Sequence, residues 1–195
     1  MLKDLVLANR TYRRFDQSVA IDRATLLELV DLGRLSASGG NAQPLKYALA
    51  CDAELNAAIF PNLAWAGFLS DWDGPAEGER PSAYIVILGA PAILNDYGVD
   101  HGIAAQSILL GATERGLGGC MIGSIQRDGL RKAMQIDERY QILLVLAIGK
   151  PAETVQVDET PADGSFLYWR DAESVHHVPK RMLDDVIVSP EGTSP

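Results

Sequence analysis

The apolar positions of this chain follow two periods, one typical of helices and one typical of buried strands. Leu2, Leu5 and Val6 have the spacing of one helical face and predict a short first helix. Asp22 has a side chain suited to an N-cap, and the pattern after it predicts a helix as far as Leu35. The side chains expected to face inward from that helix are Leu26, Leu27, Val30 and Leu35.

A second long helix is predicted from Asp100, which suits an N-cap position, to about Arg115. One of its faces combines small and apolar residues, namely Ile103, Ala104, Ser107, Ile108 and Gly111. Small side chains let two helices approach closely, so this face should pack against another helix of the same chain or of a second copy. Shorter helices are predicted at residues 55–60 and 128–134.

Apolar runs without helical spacing predict the strands. They cover residues 47–51, 83–88 and 140–148, and the last of these has the strongest strand pattern in the chain. Residues 149–151, Gly-Lys-Pro, are expected to end that strand. A final apolar stretch at residues 186–188 is a candidate for one more strand. Because helices and strands are mixed along 195 residues, we expect one α+β domain that spans residues 1–195.

Two glycine-containing segments, residues 36–44 and 116–123, are predicted as loops. The second reads GLGGCMIG, but it follows a predicted helix and not a strand, which excludes a dinucleotide-binding fingerprint. Two interpretations remain for it. The glycines could let the backbone approach a flat ligand, or they could end the helix and form a tight turn.

Residues 62–82 form a long stretch without a regular pattern, and they include an acidic run after Asp71. Trp65, Phe68 and Trp72 are three and four positions apart, as on one helical face. These aromatic side chains could pack against the core, or they could cover a substrate site as part of a lid. We therefore expect residues 62–82 to be an atypical insertion or a lid.

The chain is acidic, with a formal net charge of −9 and an isoelectric point near 4.7. This balance argues against a nucleic-acid binder and against binding to anionic membranes. No apolar run reaches the ~18 residues of a membrane span, and the first residues do not resemble a signal peptide. Two cysteines, Cys51 and Cys120, are too few for a disulfide framework or a cysteine metal site, so a cytoplasmic location is expected.

In this acidic chain, three arginines fall within five residues: Arg10, Arg13 and Arg14. Clustered guanidinium groups repel one another unless an anion compensates them, and a phosphate does this well. A second basic pair, Lys180 and Arg181, lies far along the chain. The alternative is a solvated basic patch, or arginines that each pair with an acidic residue.

Other signs of chemistry are weak. Cys120 would need a base to become a nucleophile, and no histidine can be assigned to it from sequence, so a buried and inert thiol is expected. His101 fits a polar position in the first turn of a helix. His176 and His177 lack a third ligand at metal-binding spacing, so we expect no metal site. The sequence contains neither a nucleophilic-serine motif nor a P-loop.

Six motifs in this order resemble the nitroreductase family of FMN-dependent oxidoreductases. The first two are RTYRRF at residues 10–15, similar to R-x-S-x-R-x-F, and ASGGNAQPL at residues 37–45, similar to P-S-x-x-N-x-Q-P-W. The others are DHGIAAQ at 100–106, GLGGCMIG at 116–123, IGKP at 148–151 and VPKR at 178–181. Ala37 and Leu45 depart from the family pattern, which has Pro and Trp there. The resemblance covers essentially the whole chain.

This resemblance implies a layered α/β/α sandwich with a mixed, mainly antiparallel sheet, in an intertwined homodimer with two FMN sites at the interface. The helix after Asp100 would be a central element of the dimer. Residues 176–195 would extend toward the partner subunit, where residues 186–188 could add a strand.

The resemblance also implies which residues bind FMN. Arg10, Thr11 and Arg13 would hold its phosphate and pyrimidine sides, and Arg13 would stabilise the negative charge of the reduced ring near N1 and O2. Lys180 and Arg181 would close on the phosphate. The other positions are Ser38, Asn41 and Gln43 from the partner subunit, and Met121, Ile122, Gly123 and Ser124 beside the ring. The family often has a Glu in this last region, which is absent here.

The implied reaction is hydride transfer from NADH or NADPH to flavin N5, followed by electron transfer to a flat electrophile such as a nitroaromatic or a quinone. No catalytic side chain beyond the flavin is implied. The alternatives are a non-catalytic FMN-binding or flavin-storage protein, or a flavin enzyme of the same fold with another reaction, such as dehalogenation or dehydrogenation.

Overall fold

The strand Ala83–Gly89 lies at the centre of the computed structural model, which describes residues 1–188. All seven residues of this strand are buried, so both of its faces need cover. Tyr84 and Val86 belong to one apolar cluster, and Ile85 and Ile87 belong to the other. This alternation is the period of a strand, and it requires a packed layer on each side of the sheet.

The described residues form six α-helices and eight β-strands. The helices are α1 (Leu2–Ala8), α2 (Arg23–Leu35), α3 (Ala53–Ile59), α4 (Asp100–Glu114), α5 (Arg127–Met134) and α6 (Leu183–Val186). The strands are β1 (Phe15–Asp16), β2 (Leu45–Ala50), β3 (Ala83–Gly89), β4 (Gly118–Ile122), β5 (Gln141–Pro151), β6 (Val155–Glu159), β7 (Trp169–Arg170) and β8 (His176–Lys180). Every helix and strand expected from the apolar pattern is present, apart from the strand at residues 186–188.

Two sheets divide these strands. In the first, β3 lies between β2 and β5, while β4 and β1 pair with β5, and all of these pairings are antiparallel. The second sheet has the order β6-β8-β7, in which β6 and β8 are parallel and β7 is antiparallel. The expected α+β class with mainly antiparallel pairing is therefore confirmed, and the parallel pair lies in the second sheet.

Helices cover both faces of the first sheet. On one face, Gly111 of α4 lies against Leu29 and Leu32 of α2, so a side chain at this glycine would separate the two helices. On the other face, Ile59 of α3 and Leu130 of α5 are fully buried in one cluster with the strands. The layered α/β/α arrangement is confirmed, and the small-residue face of α4 packs against a helix of the same chain.

The buried face of α2 differs in part from the expected one. Leu26 and Leu29 are fully buried, whereas Leu27 and Leu35 are 51% and 65% exposed. Leu26 and Leu29 are three positions apart and share the face toward α4, while Leu27 is rotated from Leu26 by about 100°. The expectation that Leu27 and Leu35 face inward is therefore wrong for the single chain.

Asp100 is the first residue of α4 and not its cap, which is Val99. The buried carboxylate of Asp100 accepts hydrogen bonds from the Ser38 hydroxyl at 2.6 Å and from the Gly39 N–H at 2.9 Å. Asp100 thus holds the loop of residues 36–44 instead of capping its own helix. Ile103, which was expected on the packed face of α4, is 37% exposed.

The glycine-rich segment after α4 combines a helix end with a strand. Gly116 has a φ of +69°, and the Leu117 N–H donates to the Ala112 carbonyl at 2.9 Å, which is a glycine C-cap. The interpretation of this segment as a helix end is therefore confirmed at Gly116. β4 follows at once, so the loop expected at residues 116–123 is wrong for Gly118–Ile122.

Two predictions for the C-terminal part of the chain differ from the structure. β5 continues through Pro151 because its last two residues pair with β1, so the Gly-Lys-Pro sequence does not end it. The strand expected at residues 186–188 is wrong, since Val186 belongs to α6. Of the extension expected over residues 176–195, residues 189–195 lie outside the described part.

Residues 63–82, all of them described, contain no helix, so the three aromatic side chains there do not share a helical face.

Candidate functional site

Arg10, Arg13 and Lys180 line one cleft with a volume of about 360 Å³, which we call the cationic cleft. Thr11 and Met121 line it as well, and none of the described residues that line it is acidic. The two basic segments of the sequence therefore meet in space, and three cations face the same cleft without a carboxylate among them. Such an arrangement favours an anionic ligand.

Main-chain contacts hold the arginine segment beside β4. The Tyr12 N–H donates to the Gly119 carbonyl at 3.0 Å, and Thr11 forms a parallel bridge with the same glycine. A Cβ at Gly119 would lie 2.7 Å from the Ala147 carbonyl oxygen, and one at Gly118 would overlap the Tyr12 ring. Both glycines are needed because β4 approaches its neighbours too closely for side chains.

Not every basic residue of the two clusters reaches the cleft. Lys180 reaches it from β8, whereas Arg181 is exposed and does not line it. Arg14 turns away, with its Nε 3.4 Å from the Glu79 carboxylate and its guanidinium 5.9 Å from the ring centre of Trp72. Arg14 thus follows the acid-paired alternative, whereas the side chains of Arg10, Arg13 and Lys180 pair with no acidic side chain among residues 1–188.

A buried carboxylate fixes the backbone of the arginine segment. The Glu153 side chain is 2% exposed and accepts hydrogen bonds from the N–H groups of Arg13 and Arg14. It also pairs with Arg170 at 2.9 Å, which compensates its charge. Because Glu153 follows β5 and Arg170 lies in β7, this contact joins the arginine segment to both sheets.

The Arg13 side chain contacts His176 and Tyr168. Its Nη1 lies 3.4 Å from His176 Nε2, and its guanidinium carbon lies 4.9 Å from the centre of the Tyr168 ring. Burial and the positive charge of Arg13 lower the pKa of His176 to about 4, so this ring is neutral near pH 7. Both residues line the cleft, and no local sequence pattern links either of them to Arg13.

Cys120 and His177 have structural roles. Burial raises the pKa of Cys120 to about 11, so this thiol is protonated and inert, as expected. His177 stacks on Trp169 with ring centres 4.7 Å apart, and its nitrogens contact the carboxylates of Asp158 and Asp171 at 2.6 and 3.1 Å. Hydrogen bonds to Asp171 and Asp158 raise the pKa of His177. The described residues contain no cluster of His, Cys, Asp and Glu that could hold a metal ion.

Ser38 and Gln43 line a different groove, with a volume of about 630 Å³, and none of the arginine segment reaches it. The loop that carries them is unusual, because Asn41 and Gln43 have positive φ angles of 55° and 52°. The Asp100 carboxylate stabilises this loop through its bonds to residues 38 and 39. Within the single chain, the structure does not bring Ser38 and Gln43 to the cationic cleft.

Residues 121–124 lie in three different surroundings. Met121 lines the cationic cleft. Ile122 is buried in the core and pairs with Val145 of β5, so its side chain does not face the cationic cleft. Gly123 and Ser124 line a third pocket of about 440 Å³. The structure thus separates these expected flavin neighbours within one chain.

The three aromatic side chains of residues 62–82 also separate. Trp65 stacks on Phe60 with ring centres 5.8 Å apart and packs against the core. Phe68 is exposed, and its ring centre lies 5.1 Å from that of Tyr168 at the cleft wall. Trp72 contacts the Arg170 guanidinium at 4.3 Å. The core interpretation therefore fits Trp65, while a lid that includes Phe68 and Trp72 stays a prediction.

Residues 6–150 match the family model described as "Nitroreductase family". The chain is 22% identical over 177 residues to YodC of Bacillus subtilis (strain 168), a protein whose name gives NAD(P)H nitroreductase as a provisional activity. That alignment covers 75% of this chain and 88% of YodC. In the described residues, no helix is long and apolar enough to cross a membrane.

Solved structures show the same fold. A nitroreductase family protein from Streptococcus pneumoniae TIGR4 superposes with a TM-score of 0.70 at 14% identity, over 97% of this chain and 100% of that one. An FMN-dependent nitroreductase from Clostridium difficile R20291 superposes with a TM-score of 0.60 at 19% identity, over 76% of this chain and 87% of that one.

The chain belongs to the nitroreductase family, as its motifs indicated. This family comprises FMN-dependent oxidoreductases that use NAD(P)H, so the expected enzyme class is confirmed at the level of the family. The family match ends at residue 150, and the second sheet, with Tyr168, His176 and Lys180, lies beyond it.

Proposed function

We propose that the protein is an FMN-dependent NAD(P)H oxidoreductase whose cationic cleft binds the flavin, and that its acceptor is a flat electrophile such as a nitroaromatic or a quinone. The observation that carries this proposal is the meeting of Arg10, Arg13 and Lys180 in a cleft that no described acidic residue lines.

The chemistry of the cleft fits a flavin phosphate. A phosphate monoester carries roughly −1.5 to −2 charges at neutral pH and accepts several hydrogen bonds. Arg10 Nε is buried and has no hydrogen-bond partner within the described residues, so it is a donor available to such a ligand. Arg10, Thr11 and Lys180 would hold the phosphate side, and Arg13 the pyrimidine side.

We also propose that the active form is a homodimer. Ser38, Asn41 and Gln43 belong to a loop that lies away from the cationic cleft of their own chain. The same groove exposes the apolar side chain of Leu27. A second copy would cover this apolar surface and bring the loop to the flavin of its partner.

The bound FMN would supply hydride and electron transfer. The residues of the chain would bind and orient it, and the positive charge of Arg13 would stabilise negative charge at the pyrimidine edge. Cys120 stays protonated and buried and supplies no nucleophile. His176 stays neutral near pH 7 and contacts no carboxylate in the described part of the chain, so no proton transfer is assigned to it.

The test is flavin retention followed by reduction. The protein is loaded with FMN and dialysed, and the expected result is one flavin per chain that NADH or NADPH bleaches without air and that a quinone or nitroaromatic reoxidises. A protein that retains no flavin would contradict the proposal. A yellow protein that neither nucleotide reduces would support the flavin-binding or storage alternative instead.

A further inference from the structure

The guanidinium of Arg13 is held by neutral rings on one side of the cationic cleft. His176 Nε2 lies 3.4 Å from Arg13 Nη1, and the Tyr168 ring lies under the guanidinium at 4.9 Å. The two rings also pack against each other, with centres 5.2 Å apart. Glu153 binds the Arg13 backbone N–H, so backbone and side chain are restrained by different residues.

The contact with Arg13 determines which nitrogen of the His176 ring carries the proton. Arginine has only donors, so Nε2 of His176 must accept and the ring proton must be on Nδ1. The His176 side chain is 1% exposed, and its Nδ1 has no partner within the described residues. A protonated ring here would place two cations in contact inside the protein, which burial and Arg13 both oppose.

Tyr168 completes the support. The face of a tyrosine ring attracts a guanidinium. The Tyr168 hydroxyl accepts a hydrogen bond from the Phe68 N–H at 3.3 Å, which fixes the position of the ring. The packed rings of Tyr168 and His176 thus hold the Arg13 guanidinium against the second sheet. These contacts reduce the number of rotamers that the long Arg13 side chain can sample while it lines the cleft.

We propose that His176 is a positioning residue that, as a neutral acceptor, directs the Arg13 guanidinium into the cationic cleft and toward the flavin edge. This inference rests on the proposed function, because it assigns Arg13 a flavin to act on. Its consequence for the flavin is a raised midpoint potential, since an ordered cation favours the reduced, negatively charged ring.

The test compares His176→Leu, which keeps the volume but removes the acceptor, with His176→Gln, which keeps an acceptor oxygen. We expect His176→Leu to weaken FMN binding by up to roughly tenfold, because a less ordered Arg13 side chain must be fixed when FMN binds, and to make the midpoint potential more negative. His176→Gln should restore both values toward those of the wild type. His101→Gln is the control, because His101 lies in α4 and does not line the cleft.

A second readout needs no flavin and leaves His176 in place. Nitrogen NMR of the flavin-free protein should show a neutral His176 ring with an unprotonated Nε2, and Arg13→Gln should raise its pKa because a neighbouring cation is removed.

Two results would overturn the inference: an unchanged potential and affinity in His176→Leu, or equal losses in the Leu and Gln variants. Failure of the proposed function is distinguishable, because it would appear as a wild-type protein that retains no flavin.

Discussion

Lys180 contributes a cation to the cationic cleft, whereas Arg181, the next residue, does not line it. We expect Arg10→Ala and Lys180→Ala each to weaken FMN binding by about 1.5–3 kcal/mol, the size of a hydrogen bond to a charged group. Arg181→Ala should have a smaller effect. The measurement is a fluorescence titration of flavin-free protein with FMN.

Arg139→Ala is the matched control for these variants, since Arg139 is exposed and pairs with Asp137 away from the cleft. Equal affinities for the wild type and for both cleft variants would contradict a phosphate site there.

His177 gives the fold a defined pH dependence. Hydrogen bonds to Asp171 and Asp158 raise its pKa above the unfolded value of 6.5. A raised pKa stabilises the fold fully below the unfolded pKa, and this contribution disappears as the pH rises through the folded pKa. We therefore expect His177→Gln to lower the melting temperature more at about pH 5.5 than at about pH 8.5. Equal losses at the two pH values would contradict this account.

The contribution of His176 to stability changes with pH in the opposite direction to that of His177. The two histidines must therefore be substituted one at a time. Its pKa is lowered to about 4, so folding loses stability as the pH falls below 6.5 and the unfolded histidine takes up a proton. His101→Gln, which changes a histidine outside this cluster, serves as the control for both.

The residues of the cleft could be predicted only where a local sequence pattern indicates them. Three arginines within five residues are visible in an acidic chain, and two of them do line the cleft. The contact of Arg13 with His176 joins residues 163 positions apart, and no local pattern indicates it. Arg14 could not be separated from Arg13 because its acid partner, Glu79, is set by the tertiary fold.

Among the elements, β4 depends on its glycines for packing. A Cβ at Gly119 would meet the Ala147 carbonyl oxygen of β5, which cannot move without disturbing the sheet. We expect Gly119→Ala to lower the free energy of unfolding by about 1–3 kcal/mol, as for an overpacked core. Gly102→Ala is the control, because a Cβ there meets open space on α4 and should be neutral or stabilising by up to about 1 kcal/mol. Chemical unfolding measures both, and equal effects would contradict the packing argument.

Within residues 62–82, the two tryptophans should respond differently to truncation. Trp65 packs against the core, so Trp65→Ala should cost about 3 kcal/mol of stability, the low end for a buried tryptophan. Trp72 lies on Arg170 and Arg14, so Trp72→Ala should cost less than about 2 kcal/mol and should change the ranking of quinone and nitroaromatic acceptors. A large stability loss at Trp72 with an unchanged acceptor ranking would decide against a lid.

Most helices and strands could be predicted from the apolar pattern, because each buried face has its own period. The wrong predictions concern positions where tertiary contacts determine where an element ends or which group a side chain binds. β5 extends through Pro151 because β1 is there to pair with it, and Asp100 leaves its expected capping role because Ser38 and Gly39 offer it buried donors. Leu27 is apolar and was therefore expected to face the core, but it is exposed in the single chain.

For the whole molecule, we expect a dimer at micromolar concentration, measured by light scattering. Leu27→Glu should shift it toward the monomer and weaken FMN binding, because a charge would enter the apolar groove beside the loop of Ser38. Val19→Glu changes an exposed apolar residue outside that groove and should preserve the dimer. A wild-type monomer with full flavin would contradict a site shared between two chains.

The contact of Arg13 with His176 also limits when the cleft can form during synthesis. A ribosome releases the chain from its N-terminus, so Arg13 emerges long before the strand that carries His176 and Lys180. The first sheet has all of its strands once Pro151 has emerged, whereas the cleft still lacks one wall. A nascent chain can therefore pair all strands of its first sheet before the cationic cleft is complete. If the cleft binds FMN as proposed, the cofactor would bind only after those strands have paired.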